Sequence, residues 1–269
     1  MARGMEWTST AVRRGEGSLS GYEASRYGEA VGNDYDLLYP GERGSNEAAI
    51  SRLAALAGSR PERALLEFGI GTGRLALPLV DRGFEVAGID GSEQMVDHLR
   101  ARPGGRRVAV TIGDYRVARV PGRLFSVVLL AINGIFDPRG VDAQLDIFRN
   151  AASHLAPGGF FVVETWVMTD AQRNGSWSVL PRYVGDAHVE LQMARYNMDN
   201  NSIERTLFHL RSDGMKFVSV TDTYASPGEL DIMARVTGFR RVLRYGAWDG
   251  AEFTVASTNC VSVYQLQAD

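Results

Sequence analysis

Cysteine and lysine are almost missing from this chain of 269 residues: Cys260 and Lys216 each stand alone. A single cysteine excludes an intrachain disulfide, a thiolate zinc site and a cysteine-held iron–sulfur cluster, and radical chemistry on such a cluster goes with them. A single lysine restricts any Schiff base to Lys216, and because Met215 precedes it there is no Gly-Lys-Ser/Thr phosphate loop. Pyridoxal enzymes and phosphate-loop ATPases are therefore disfavoured. An excess of positive charge is missing too, with 29 basic against 32 acidic side chains, which argues against broad electrostatic binding to nucleic acid. No run approaches the roughly 18 uninterrupted apolar residues of a membrane span. The first 20 residues carry Arg3, Arg13 and Arg14 but no apolar core like that of a secretory signal. These absences predict a cytoplasmic protein without a membrane or nucleic-acid partner; a homo-oligomer is compatible with them.

Hydrophobic residues make up 45% and charged residues 23%, an ordinary globular composition that can bury a core. The length fits either nearly two domains or one enlarged α/β domain. Apolar runs at Ala64–Phe68, Phe84–Ile89, Val108–Ile112, Phe125–Ile132 and Phe160–Glu164 read as strands. They alternate with helical spacing over Asn46–Leu56, Arg74–Arg82, Ser92–Ala101 and Asp142–Leu155. That order predicts a Rossmann-like, doubly wound sheet of seven strands. After Glu164 the pattern changes to three strand-like stretches, His188–Tyr196, Ile203–Leu210 and Lys216–Thr223, parted by turn sequences and read as an inserted antiparallel sheet. Ser226, Pro227 and Glu229 supply an N-cap, a first-position proline and a capping-box acid for a further helix. Phe239–Tyr245 and Cys260–Gln265 then close the sheet, its last strand antiparallel. The expected division is a helical lid over 1–43, a cofactor-binding unit over 44–165 and 226–269, and an insert over 166–225.

The chemistry is concentrated in Glu67-Phe68-Gly69-Ile70-Gly71-Thr72-Gly73-Arg74, between the first strand and the following helix. Glycines there let backbone pass close to a ligand. A dinucleotide fingerprint would want glycine where Arg74 stands, and Glu67 would repel a pyrophosphate. A cofactor with a cationic end suits that carboxylate better. Asp90 ends the second strand about 20 residues on, where an acid can accept from ribose hydroxyls, and Gly113-Asp114 ends the third. All three acids fall at carboxyl ends of predicted strands, which in open α/β sheets converge on the ligand crevice.

With these motifs and the Leu155 to Gly159 turn (Leu-x-Pro-Gly-Gly), the chain resembles the class I S-adenosylmethionine-dependent methyltransferases, roughly from Tyr22 to Gln265. The resemblance implies S-adenosylmethionine as cofactor. Gly69, Gly71 and Gly73 would pass under its methionine part, Asp90 would hold the ribose, and Gly91 and Met95 would border the adenine. Gly113, Asp114 and Tyr115 would meet the adenine edge, and backbone from Leu130 and Ala131 to Asn133 the amino group. Phe68 departs from the small or polar residue many members carry. The tyrosine-rich start, the insert and the Trp248-Asp249-Gly250 segment are similar to small-molecule methyltransferases of bacterial secondary metabolism. Those include aminosugar N-methyltransferases and prenyl C-methyltransferases.

The acceptor is less legible. Methyl transfer relies on positioning and exclusion of water, so a general base is optional. Catalytic candidates are Glu164, Tyr22 and His188, with Asp137 and His209 as further titratable groups. Tyr22 and Tyr27 either touch cofactor and acceptor or pack the lid, and the two insert histidines are bases only if their strand register aims them inward. Asn133, Phe136, Trp166 and Tyr196 are the expected acceptor walls, though core packing suits the aromatic residues nearly as well. A magnesium-dependent catechol-type site would want a carboxylate cluster after the fifth strand, and Thr165-Trp166-Val167 offers none, so no metal is expected. The functional alternative keeps the fold and the cofactor pocket but guides a cyclisation or serves as a binding module.

Overall fold

The computed structural model describes residues 43–137, 140–169, 172–175 and 177–267; Tyr22 and Tyr27 fall outside them. Helix α1 (Arg43–Gly58) leads into β1 (Ala64–Phe68), α2 (Ala76–Asp81), β2 (Glu85–Asp90), α3 (Glu93–Ala101) and β3 (Ala109–Ile112). Then follow β4 (Phe125–Leu130), α4 (Val141–His154) and β5 (Leu155–Trp166). Strands β6 (Ser178–Val184), β7 (His188–Asn197), β8 (Ser202–Arg211) and β9 (Gly214–Thr223) come next, and α5 (Pro227–Val236), β10 (Phe239–Tyr245) and β11 (Asn259–Leu266) end the chain.

The main sheet has seven strands in the order β10-β11-β5-β4-β1-β2-β3. Strands β1 to β5 pair in parallel, whereas β11 is antiparallel to both β5 and β10. Every residue of β1 and β4 is buried, because alternate side chains enter two different cores. Leu66, Phe68, Val128, Leu130, Phe161 and Val163 pack under α4 and α5, while Leu65, Val127, Leu129 and Val162 pack under α1 and α2. Helices on both faces are what makes those strands continuously apolar in sequence. The capping box forms as read: the Ser226 hydroxyl accepts from Glu229 N–H (3.3 Å), and the Glu229 carboxylate accepts from Ser226 N–H (2.6 Å).

Two readings are corrected. The antiparallel sheet holds four strands, in the order β6-β7-β8-β9, not three. β6 was hidden by Pro181, which lacks a ladder donor and is tolerated here because β6 is the sheet edge, with a register shift between Pro181 and Tyr183. The turn at Pro157-Gly158-Gly159 does not precede β5 but lies inside it, absorbed where the pairing with β4 jumps between Phe125 and Val127.

The two sheets are tied together at α4. Gln144, fully buried, donates to the carbonyls of Ile135 (3.0 Å) and Thr223 (2.8 Å), and Gly140 N–H donates to the Thr223 hydroxyl (2.8 Å). The end of β9 is thus held beside the end of β4, which brings the antiparallel sheet over the carboxyl edge of the main sheet.

Candidate active site

At the mouth of β1 the three glycines Gly69, Gly71 and Gly73 all take positive φ, 68°, 54° and 79°, a region that costs other residues about 1–2 kcal/mol. Asp90 fixes the loop. One of its oxygens accepts from Gly71 N–H (2.7 Å) and the other from Ser92 N–H (2.8 Å), while the Ser92 hydroxyl caps α3 by accepting from Met95 N–H (3.3 Å). Burial raises the Asp90 pKa above its usual value, while these two backbone donors oppose that shift by favouring the carboxylate. The loop opens on a crevice of about 200 Å³ walled by Glu67, Gly69, Gly71, Asp90, Gly91 and Met95, with Tyr115, Leu130, Ala131, Asn133, Phe136 and Trp166 opposite.

Gly73 also has a packing task. It is absent from the crevice walls, and a Cβ there would stand 2.3 Å from Leu99 Cδ1 and 3.2 Å from Leu77 Cγ. Its backbone freedom lets the loop close onto α3. Gly73→Ala is expected to destabilise the fold by about 2–4 kcal/mol, combining left-handed strain with overpacking, and to lower Tm by on the order of 10 °C. Gly122→Ala, also at positive φ (86°) but with nothing within 4 Å, carries the strain alone. Thermal melts giving equal losses for the two variants would refute the packing assignment.

Glu67, 7% exposed, holds an oxygen with no hydrogen-bond partner. Burial pushes its carboxyl up to about 8; the Arg74 charge opposes that shift, and Asp90 and Glu164 add to it. A buried carboxyl left unpaired at a ligand crevice is costly and is satisfied by an incoming cation.

The opposite lip is strained. Ile132 and Asn133 have φ of 45° and 62°, and a β-branched residue at positive φ is a true outlier that surrounding contacts must hold. Glu164 supplies them: its carboxylate accepts from Ile132 N–H (3.0 Å) and from the Trp248 indole N–H (2.6 Å), and its carbonyl accepts from Asn133 N–H (3.0 Å). Asn133 Oδ1 accepts in turn from Trp166 N–H (2.6 Å). Both oxygens of Glu164 are thus engaged in shaping the lip.

Beyond the lip lies a second cavity of about 370 Å³ between the main sheet and the concave face of the antiparallel sheet, walled by Glu164, Trp166, Met168, Tyr196, Ile203 and the arginines 182, 195 and 205. Asn133, Trp166, Arg182 and Arg205 belong to both cavities. Phe136, Trp166 and Tyr224 pack at the junction with ring centroids 5.2–5.7 Å apart. Asp137, an exposed residue on the crevice wall, accepts from the Tyr115 hydroxyl (3.1 Å); its pKa is raised, with the charge of Asp222 adding to the shift and Arg205 opposing it. Arg205 is ion-paired with Asp222.

Three sequence-predicted positions stand elsewhere. Asp114 is ion-paired with Arg116 and, like Gly113, is not on the crevice walls; Gly113 N–H instead donates to the Asp90 carbonyl (2.9 Å). His188 walls neither cavity and stacks between Tyr183 and His209. Arg182, Arg205 and Asp222, by contrast, were not singled out, because charges alternating along insert strands read equally as a solvated face.

A family model described as a methyltransferase domain matches residues 65–159, the stretch carrying the glycine loop, Asp90 and the Glu164-pinned strand β4. The CcbJ methyltransferase from Streptomyces caelestis is 33% identical, covers 92% of this chain and all of its own, and superposes with a TM-score of 0.83. This chain belongs to the S-adenosylmethionine-dependent methyltransferases. Two further relatives of the methyltransferase are characterised by name. The dTDP-3-amino-3,4,6-trideoxy-alpha-D-glucopyranose N,N-dimethyltransferase of Streptomyces venezuelae is 29% identical over 72% of this chain and 76% of its own. The cypemycin N-terminal methyltransferase of a Streptomyces species is 25% identical over 76% and 84%. The methyltransferase's own residues fit the cofactor: the partnerless Glu67 oxygen answers an ammonium, and the sequence has no Gly-Lys-Ser/Thr phosphate loop for a pyrophosphate.

Proposed function

We propose that this methyltransferase N-methylates an amine on a small polar molecule of aminosugar size in bacterial secondary metabolism. The observation that carries the reading is the cavity of about 370 Å³ with Arg182, Arg195 and Arg205 in its walls. Such a cavity favours an acceptor with anionic or hydroxyl-rich portions over a prenylated one. The two named relatives whose reactions are stated act on amino nitrogen, which supports the choice of atom.

When bound, S-adenosylmethionine supplies an electrophilic methyl on a sulfonium, so that a carbon–nitrogen bond forms as the carbon–sulfur bond breaks. The residues do the rest. Glu67 holds the cofactor's ammonium, Asp90 its ribose, Gly91 and Met95 border its adenine, and the Glu164-held lip at Leu130 to Asn133 presents backbone to its methionine end. Trp166, Phe136 and Tyr196 exclude water from the junction. Glu164 acts as a positioning residue, and Asp137, on the crevice wall, accepts the proton the amine must lose.

The test is labelled methyl transfer to an aminosugar nucleotide, its free aminosugar and the analogue bearing hydroxyl for amine. Label on nitrogen is expected, and none on the hydroxyl analogue. Label on oxygen or carbon would refute the atom assigned. Tight cofactor binding without turnover across amine acceptors would instead favour a protein that guides a cyclisation or serves as a binding module.

Glu67 gives a pH prediction. In the cofactor-free fold its carboxyl sits at about 8 against an ordinary 4.5, so between those values the folded state keeps a proton the unfolded chain has lost. Stability from this group is full below about 4.5 and is lost as pH rises through about 8. Cofactor-free Tm is therefore expected to fall between about pH 5 and pH 8, and Glu67→Gln to flatten that fall. Binding the cofactor's ammonium stabilises the carboxylate, so calorimetry near neutral pH in buffers of different ionisation enthalpy should show proton release, lost in Glu67→Gln. Proton uptake would overturn the assignment.

A further inference from the structure

The concave face of the antiparallel sheet continues past the acceptor cavity to a group of side chains that the methyl-transfer reading does not use. On β7 the alternation that points Gln192, Ala194 and Tyr196 into the cavity also points Glu190 and His188 to the same face. Glu190 is paired directly with His209 of β8. One ligand atom from each of His188, Glu190 and His209 lies within 4.8 Å of the others. Glu190 is 1% and His209 5% exposed, and His188 Nε2 is buried with no hydrogen-bond partner. A half-buried imidazole whose Nε2 is shut away from water beside a buried imidazole and a buried carboxylate is an expensive way to build a sheet face, since a buried polar atom needs a partner.

We propose that His188, Glu190 and His209 bind one divalent transition-metal ion of the zinc type on the concave face of the antiparallel sheet. Two nitrogens and one oxygen suit zinc or a neighbouring first-row dication and not magnesium or calcium, which prefer all-oxygen sets. Bonds of about 2 Å require the three atoms to draw together, within reach of side-chain rotation on strands already in register. Three protein ligands would leave a fourth tetrahedral position for water. Arg182, whose charge acts on Glu190, and Lys216, paired with His209 in register, flank the group. Their positive charge opposes a further cation, and the Glu190 carboxylate offsets it.

The full chain, stripped of metal with chelator, is titrated with Co²⁺, Zn²⁺ and Mg²⁺. The expected result is one equivalent of Co²⁺ giving the intense visible bands of a tetrahedral centre, displaced by Zn²⁺ and unaffected by Mg²⁺. His188→Ala and His209→Ala are each expected to weaken Zn²⁺ at least about 100-fold, more than loss of an outer-shell partner costs. Cofactor binding in the same samples reports folding, and Glu190→Gln, which keeps the side chain's volume, serves as the ligand-deleting variant should either alanine variant fail to fold. The absence of saturable Zn²⁺ binding, or Co²⁺ binding unchanged in the variants that fold, would overturn the site.

Discussion

Asp90→Ala is expected to weaken cofactor binding at least about 100-fold, or about 2.7 kcal/mol, with a smaller change in Tm. The side chain does two things at once. Its oxygens accept the N–H groups of Gly71 and Ser92, joining the glycine loop to the start of α3, and by the proposed assignment it also accepts from the ribose. Each such charge-assisted bond contributes about 1.5–3 kcal/mol. Asp90→Asn is nearly as damaging, because its amide NH₂ must face one of two backbone donors. Glu164→Gln keeps one acceptor oxygen for the pair Ile132 N–H and Trp248 Nε1–H and should cost about tenfold, near the 1.4 kcal/mol of one impaired bond. Asp114→Asn, whose carboxylate is spent on Arg116, should cost little. Calorimetric titration of all four variants checks the order; equal losses for Asp90→Ala and Asp114→Asn would show that the crevice has been misassigned.

Asp137→Asn is expected to lower kcat by about 100-fold, the lower range for loss of a positioned general base, while leaving cofactor affinity unchanged. The acceptor amine reaches the site partly as ammonium and must be neutral to attack. Asp137 lines the crevice, and its pKa is held above the usual carboxylate range, with the charge of Asp222 contributing, which makes it a stronger proton acceptor. The wild-type kcat profile should therefore show an acid limb above ordinary carboxylate values as Asp137 ionises, and Asp137→Asn should lack it. An unchanged kcat and profile would mean that the amine loses its proton to solvent before it docks. An increase in KM alone would make Asp137 a binding group.

The crevice was legible in sequence because its parts are local or topological. A β1 turn that must reach positive φ at Gly69 and Gly71 demands glycine, and an acid at the end of β2 follows from one strand repeat. The strained lip was not legible, since nothing local distinguishes Ile132 at positive φ from any other isoleucine. It exists because Glu164, on the next strand over, reaches its N–H. Trp248 was noticed as part of a family-like segment, but its bond to Glu164 spans 84 residues and has no sequence signature. β6 was missed because proline in a run argues against a strand unless one knows the strand is an edge, which is a fact about neighbours.

The resemblance of its motifs to a family implied the cofactor class, and the sequence by itself determined the fold class and the chemistries excluded by one cysteine and one lysine. These depend on composition, on hydrophobic period and on short-range backbone demands. The tertiary structure brought Glu67 and Asp90 to one crevice and paired Asp114 with Arg116, packed Gly73 against Leu99, set Glu164 to hold a strained lip, and gathered His188, Glu190 and His209 onto one face. Those outcomes depend on strand register and on what lies across a cavity, and electrostatic and hydrogen-bond partners are chosen by distance in space.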